Sequence, residues 1–189
     1  MGNNVLEWHK ILDFKELISA EEELKRKAGI YVWGWFDEED NFVPYYVGKA
    51  NNLRQRLFDH IGKLKGGMYS IYEWKYAFSK DFHPLKEIEE DKLIYVPSSI
   101  ENWYNVFLSN KVQKSMNYLI NNLMFSWCET DKDVNINLEK YIFQLINKNS
   151  HEYYGNYKTG ASVRGQNYLP MNNFTFTGDK TMVRLCKSF

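Results

Sequence analysis

The chain has 189 residues and a formal net charge of zero, with 44% hydrophobic and 17% aromatic residues. That is enough apolar side chain to bury a core, which excludes a disordered chain, and the length fits one domain with extensions or a small core with an insertion. The first ten residues hold no apolar signal core and no run of ~18 apolar residues follows, so the expectation is a cytoplasmic, soluble protein with no membrane span.

Cys128 and Cys186 stand far apart with no histidine at zinc-ligand spacing. This argues against a structural zinc site and a disulfide framework, and leaves two buried or half-buried thiols in a reduced compartment. Zero net charge lends no support to a nucleic-acid binder, but the charges are unevenly spread. Residues 1–43 carry five Lys/Arg against ten Asp/Glu, and residues 44–80 carry seven against two. Residues 81–140 carry six against ten, and residues 141–189 six against two. Folding could gather the two basic blocks on one face.

Residues 11–27 read as a helix, with Ser19 and Glu22 as a capping box marking a break before a second short helix. Residues 29–36 (GIYVWGWF), rich in β-branched and aromatic side chains, read as a strand. A turn over 37–41 leads to a second strand over 42–47, an antiparallel hairpin that sets Tyr31 within about a residue of opposite Tyr46. Where the paired residue numbers add to an odd sum the two tyrosines project from the same face, because directly paired residues share a face. The sequence leaves that register open.

Asn51 or Asn52 caps the next helix, 53–64, whose apolar stripe is Leu53, Leu57, Ile61 and Leu64. Arg56 and His60 lie one turn apart on the edge of that stripe and point toward what the helix packs on, the hairpin before it. Residues 65–122 read as an insertion of helices and loops, with a helical run near 111–122. Residues 123–128 (LMFSWC) read as a third strand. Asp133 or Asn135 then caps a helix to residue 147, with Leu138, Tyr141, Ile142 and Leu145 buried and Glu139 at the border of the buried side. From Tyr153 onward, Gly, Asn, Thr and aromatics read as loops with short strands.

Hydrolysis of a phosphodiester needs an activated water, a cation on the phosphate, help for the leaving oxygen, and positioning. Tyr31, Tyr46, Arg56, His60 and Glu139 could supply these together. His60 can take or relay a proton near neutral pH, and Arg56 can grip a phosphate with two bonds. Glu139 can hold one Mg²⁺, which prefers oxygen ligands and keeps several waters. Taken singly, each residue has a structural reading: strand packing, a satisfied core histidine, a snorkelling arginine, a carboxylate at a helix dipole. Gly48-Lys49 lacks the spacing of a Walker A loop.

Order and spacing are more specific. Gly29-Ile30-Tyr31, then Tyr46-Val47-Gly48-Lys49, Asn52-Leu53, Arg56, His60 and a helix-borne Glu139 closely resemble the GIY-YIG nuclease superfamily, strongly over 29–64 and more loosely over 123–147. The resemblance implies an α+β fold: a small three-stranded antiparallel sheet flanked by helices. The catalytic domain is expected over 28–157, with an insertion at about 65–122 where the gap from Arg56 to Glu139 exceeds that of compact members. A helical N-terminal extension is expected over 1–27, and a C-terminal extension over 158–189 that packs on the same domain. The resemblance also implies one Mg²⁺ (or Mn²⁺) on Glu139, and Tyr31 as general base or partner to it, helped by the charge of Lys49 and by His60. Tyr46 would position phosphate or water, and Arg56 would stabilise the transition state. The histidine at position 60, a tyrosine in some members, resembles the restriction-enzyme branch. For the family's downstream asparagine the chain offers Asn147, Asn149, Asn156 and Asn167, of which Asn156 is favoured.

The expected partner is nucleic acid, DNA ahead of RNA. An RNA-cutting enzyme would stack bases on Tyr72, Trp74, Tyr76, Trp103 and Tyr104. A catalytically silent binding module is the alternative from another class. Cutting both strands would call for a homodimer or for sequential nicking.

Overall fold

The computed structural model describes residues 4–65, 71–72, 93–95, 117–118, 120–131, 135–149 and 174–187. In chain order these form β1 (Asn4–Trp8), α1 (Phe14–Ser19), β2 (Gly29–Phe36), β3 (Phe42–Ala50), α2 (Leu53–Lys65), β4 (Ile71–Tyr72) and β5 (Leu93–Tyr95). Then follow β6 (Met124–Glu129), α3 (Asn135–Asn149), β7 (Phe174–Gly178) and α4 (Lys180–Leu185). The fold is mixed α and β. Among the described residues five strands make one sheet in the order β3-β2-β6-β1-β7, and β4 and β5 pair separately.

The three strands expected from the sequence, β2, β3 and β6, lie side by side and antiparallel. The sheet is wider than the expected three strands, because both ends of the chain add to it. β1 pairs antiparallel with β6, and β7 runs parallel to β1. The N-terminal segment therefore departs from the expected helical extension. In β1 Leu6 and Trp8 are buried while Val5 and Glu7 are exposed, the two-residue period of a half-covered strand. The helix expected over 11–27 lasts only from Phe14 to Ser19. Asp13 caps it in a reciprocal box with Glu16. The helix does end at Ser19, at the expected break, but the Ser19 hydroxyl donates back to the Lys15 carbonyl at 3.3 Å and turns follow in place of a second capped helix. After Ala20 the chain runs in tight turns, and Arg26, at φ 62°, reverses it ahead of β2.

The hairpin register is the one that unites the tyrosines. Tyr31 lies opposite Gly48 and Trp33 opposite Tyr46, so Tyr31 and Tyr46 are diagonal neighbours on one face. Gly34 then pairs with Pro44, leaving residue 45 as an extra residue in β3. This bulge resets the alternation, so that Val43 and Tyr46, three residues apart, both reach the same face.

The sheet carries a core on each side. On one face Tyr31, Trp33, Phe125 and Trp127 pack with Phe14 and Leu17 of α1 and Leu53 and Leu57 of α2. Trp127 is 1% exposed and stacks on His9 with ring centroids 4.2 Å apart. On the other face Ile30, Val32, Val47 and Cys128 meet Leu138, Ile142 and Ile146 of α3, with Met182, Leu185 and Cys186 from the C-terminal end. Of the predicted stripes, Leu53 and Leu57 of α2 are buried and Ile61 is half-buried against them, and Leu138, Tyr141, Ile142 and Leu145 of α3 are all buried. No helix among the described residues is long and apolar enough to cross a membrane.

Both cysteines are free and fully buried. Burial pushes the Cys128 thiol up from 9.0 to about 12, and Cys186 is raised by the same cause. In that window the unfolded chain loses thiol protons that the folded chain keeps. The stability these thiols contribute is therefore complete below the unfolded value and lost as pH climbs through the folded one. Urea midpoints measured on either side of this range should fall with rising pH, and the decline should be shallower in Cys128→Ala.

Candidate active site

β3 is an edge of the sheet among the described strands, and α2 and α3 pack on opposite faces beside it. α2 begins at Leu53, where the Asn52 side chain accepts the Gln55 amide at 3.0 Å. Its buried stripe seats Leu53 and Leu57 against the tyrosine face, and this turns Arg56 and His60 toward Tyr31. The Tyr31 hydroxyl lies 2.8 Å from His60 Nε2 and accepts a hydrogen bond from Arg56 Nε at 3.2 Å. Tyr46 tilts against Tyr31 at 5.9 Å between centroids and stands edge-on to His60 at the same separation.

Gly48 makes this arrangement possible. A Cβ there would fall 2.5 Å from Cζ and Oη of Tyr31 and 2.6 Å from Cε1 of Tyr46. The Tyr31 ring lies across the glycine directly opposite it in the ladder.

Tyr31 is 1% exposed. Burial raises its phenol well above the ordinary tyrosine range; Tyr46 adds to this and Arg56 opposes it. At neutral pH the phenol keeps its proton. Arg56 is held in its charged form, chiefly by its hydrogen bond to Tyr31.

The opposite face of β3 supplies the remaining groups. Lys49 pairs with Ile30 and so stands on the α3 side, away from Tyr31. The cation that acts on Tyr31 is Arg56, not Lys49 as expected from the order of residues. Lys49 acts on Glu139 instead. This carboxyl is half-buried and raised by burial, while the charges of Lys49, Lys140 and Arg56 pull it down. The charge of Arg56 thus acts on both the phenol, which it hydrogen-bonds, and the Glu139 carboxyl.

Among the described residues no group of three or more His, Cys, Asp or Glu side chains could hold a metal ion. A single half-buried carboxylate among cations does not suit zinc, which takes three or four protein ligands from His, Cys and carboxylates. It does fit one Mg²⁺ or Mn²⁺, which can take a single protein carboxylate and complete its shell with water and phosphate oxygens.

Asn156 lies outside the described residues, as does Asn167. Asn149 is committed elsewhere: its amide donates to the carbonyls of Leu185 at 2.9 Å and Lys187 at 2.8 Å, tying α3 to the end of α4. Of the five insertion aromatics expected to stack bases, only Tyr72, in β4, falls within the described residues.

Three residues to which the sequence assigns no role in the site matter here. Trp33 and Phe125 form the floor under the phenol and imidazole, with Trp33 edge-on to His60 at 6.3 Å and Phe125 stacked on Tyr31 at 5.8 Å. Gly48 is the third. The signal for Trp33 was its place two residues beyond Tyr31, on the same face in any register. Searches against family models, curated proteins and solved structures find no match to this chain.

Proposed function

We propose that the chain is a GIY-YIG endonuclease, dependent on Mg²⁺ or Mn²⁺, that hydrolyses phosphodiester bonds in DNA in a restriction, defence or phage setting. One observation carries this reading. The Tyr31 hydroxyl contacts both His60 and Arg56, and the Arg56 charge also reaches Glu139. This supports a site in which His60 accepts the proton, Arg56 supplies the cation and Glu139 the oxygen ligand. The antiparallel neighbours β3, β2 and β6, with α2 and α3 packed on them, support the reading, because the resemblance implies a helix-flanked three-stranded sheet.

A phenol raised by burial is a poor base alone. It can still relay. With the imidazole neutral and its proton on Nδ1, Nε2 accepts the phenol proton as the phenol oxygen takes one from the attacking water. Arg56 Nε stabilises the charge that builds on that oxygen, and its remaining N–H groups would be left to donate to the phosphate. Tyr46 packs the ring in place, and Lys49 lends positive charge beside Glu139. Glu139 would hold the metal ion, which supplies Lewis-acid stabilisation of the phosphate and the leaving oxygen. One such site cuts one strand, so a double-strand break calls for two copies or two visits.

The test is incubation with supercoiled DNA, single-stranded DNA and RNA, with and without Mg²⁺. Metal-dependent cutting of DNA is expected, and His60→Ala should reduce its rate by about 10²–10⁴-fold, the usual share of general acid–base catalysis. Binding of all three without any cutting would point to a silent binding module, and cutting of RNA alone to a ribonuclease.

A further inference from the structure

The first turn of α2 is not left open to an anion. Three of its amides are taken: Leu53 N donates to the Lys27 carbonyl at 2.8 Å, Arg54 N to the Leu24 carbonyl at 3.3 Å, and Gln55 N to the Asn52 side chain at 3.0 Å. A helix start of this kind would otherwise suit phosphate. Here it is bolted to the turns that follow α1. Leu24 is fully buried in the same core cluster as Tyr31, Leu53 and Leu57. Outside that core the Arg54 side chain closes the join. It pairs with Glu21 through Nη2 and donates from Nε to the same carboxylate at 2.7 Å. Its guanidinium lies 5.0 Å from the centre of the Phe58 ring one turn on, which limits where it can swing.

We propose that Glu21 and Arg54 are positioning residues, a brace by which the segment before the hairpin fixes the angle of α2 and so the placing of Arg56 and His60 on Tyr31. The proposal rests on the nuclease reading for its catalytic consequence. The lever is geometric. His60 lies about 10 Å along the axis from Leu53, so a tilt of about 5° about the first turn moves it by about 1 Å. A shift of that size at a reacting group costs up to about a hundredfold in rate. The ion pair alone is a third exposed, 37% for Arg54 and 32% for Glu21, and contributes little to global stability. Its effect should therefore appear in the site and not in the fold.

The experiment compares full-length wild type, Glu21→Gln, Arg54→Gln and the exchanged pair Glu21→Arg with Arg54→Glu. Each is assayed for kcat and KM on a labelled DNA duplex with Mg²⁺, and for the side-chain NMR resonances of His60, assigned by their loss in His60→Gln. Both single variants should lose about tenfold in kcat with KM unchanged, shift the His60 resonances, and melt within a few degrees of wild type. The exchanged pair should restore both readouts. An unchanged kcat, a loss carried by KM, or a loss the exchange does not restore would each overturn the brace. If wild type cuts nothing, the nuclease reading fails by itself and the imidazole decides. Shifted resonances restored by the exchange then support the brace, and unmoved resonances in both single variants refute it.

Discussion

Glu139→Ala is expected to abolish metal-dependent DNA cutting, lowering the rate by about 10³-fold or more while leaving the fold intact. The size follows from the chemistry: Lewis-acid stabilisation of a phosphoryl oxygen contributes several kcal/mol, and each ~1.4 kcal/mol is a factor of ten. The fold should survive because Glu139 stands at the border of the buried side of α3, whose core contacts come from Leu138, Ile142 and Ile146. Removing a carboxyl whose charged form is penalised by burial costs the folded state little. Calorimetric titration with Mn²⁺ separates the two contributions. Wild type should bind one ion and Glu139→Ala none, with melting temperatures within a few degrees of each other. If wild type and Glu139→Ala cut equally, with or without metal, the proposed chemistry is wrong.

The conditions on this site differ in how far the sequence could disclose them. Which helix faces are buried is readable, because an apolar stripe of period 3.6 admits only one buried side; Leu53, Leu57 and Ile61 of α2 and the α3 stripe pack as their spacing requires. That Arg56 and His60 turn toward the hairpin follows from the same stripe. Register is another matter. A slip of one residue would send Tyr31 and Tyr46 to opposite faces, and the pattern of a strand buried on both sides cannot choose between the two. Gly29–Phe36 is buried at every position but the last, so it offered no alternation to read.

Lys49 was misassigned to Tyr31 for a related reason: its neighbours in sequence belong to the site, but in a strand successive side chains leave on opposite faces. The strand β1 was obscured by its brevity and by charged residues close behind it. Its partner β7 lies some 170 residues later in the chain, and no local pattern reports a pairing so distant.

Gly48→Ala should damage both stability and activity, although it adds one methyl group and removes no polar atom. The new Cβ would meet Cζ and Oη of Tyr31 at 2.5 Å and Cε1 of Tyr46 at 2.6 Å, closer than carbon atoms approach without displacement. Tyr46 is half-buried and has room to yield. Tyr31 does not: its ring is backed by Phe125 at 5.8 Å and its hydroxyl is held by His60 and Arg56. Overpacking of this kind costs about 1–3 kcal/mol. The ring must lift from the strand, which breaks or lengthens its bonds to His60 and Arg56, and a displacement near 1 Å lowers the rate by about a hundredfold. Tyr31→Phe separates these effects, since it keeps the packing and removes the relay. In the double variant Gly48→Ala with Tyr31→Phe the stability loss should persist, because the ring still clashes. The additional rate loss caused by Gly48→Ala should vanish, because no hydroxyl remains to be misplaced. Rate losses that multiply in full would mean that Gly48 acts on the site by some route other than the Tyr31 hydroxyl.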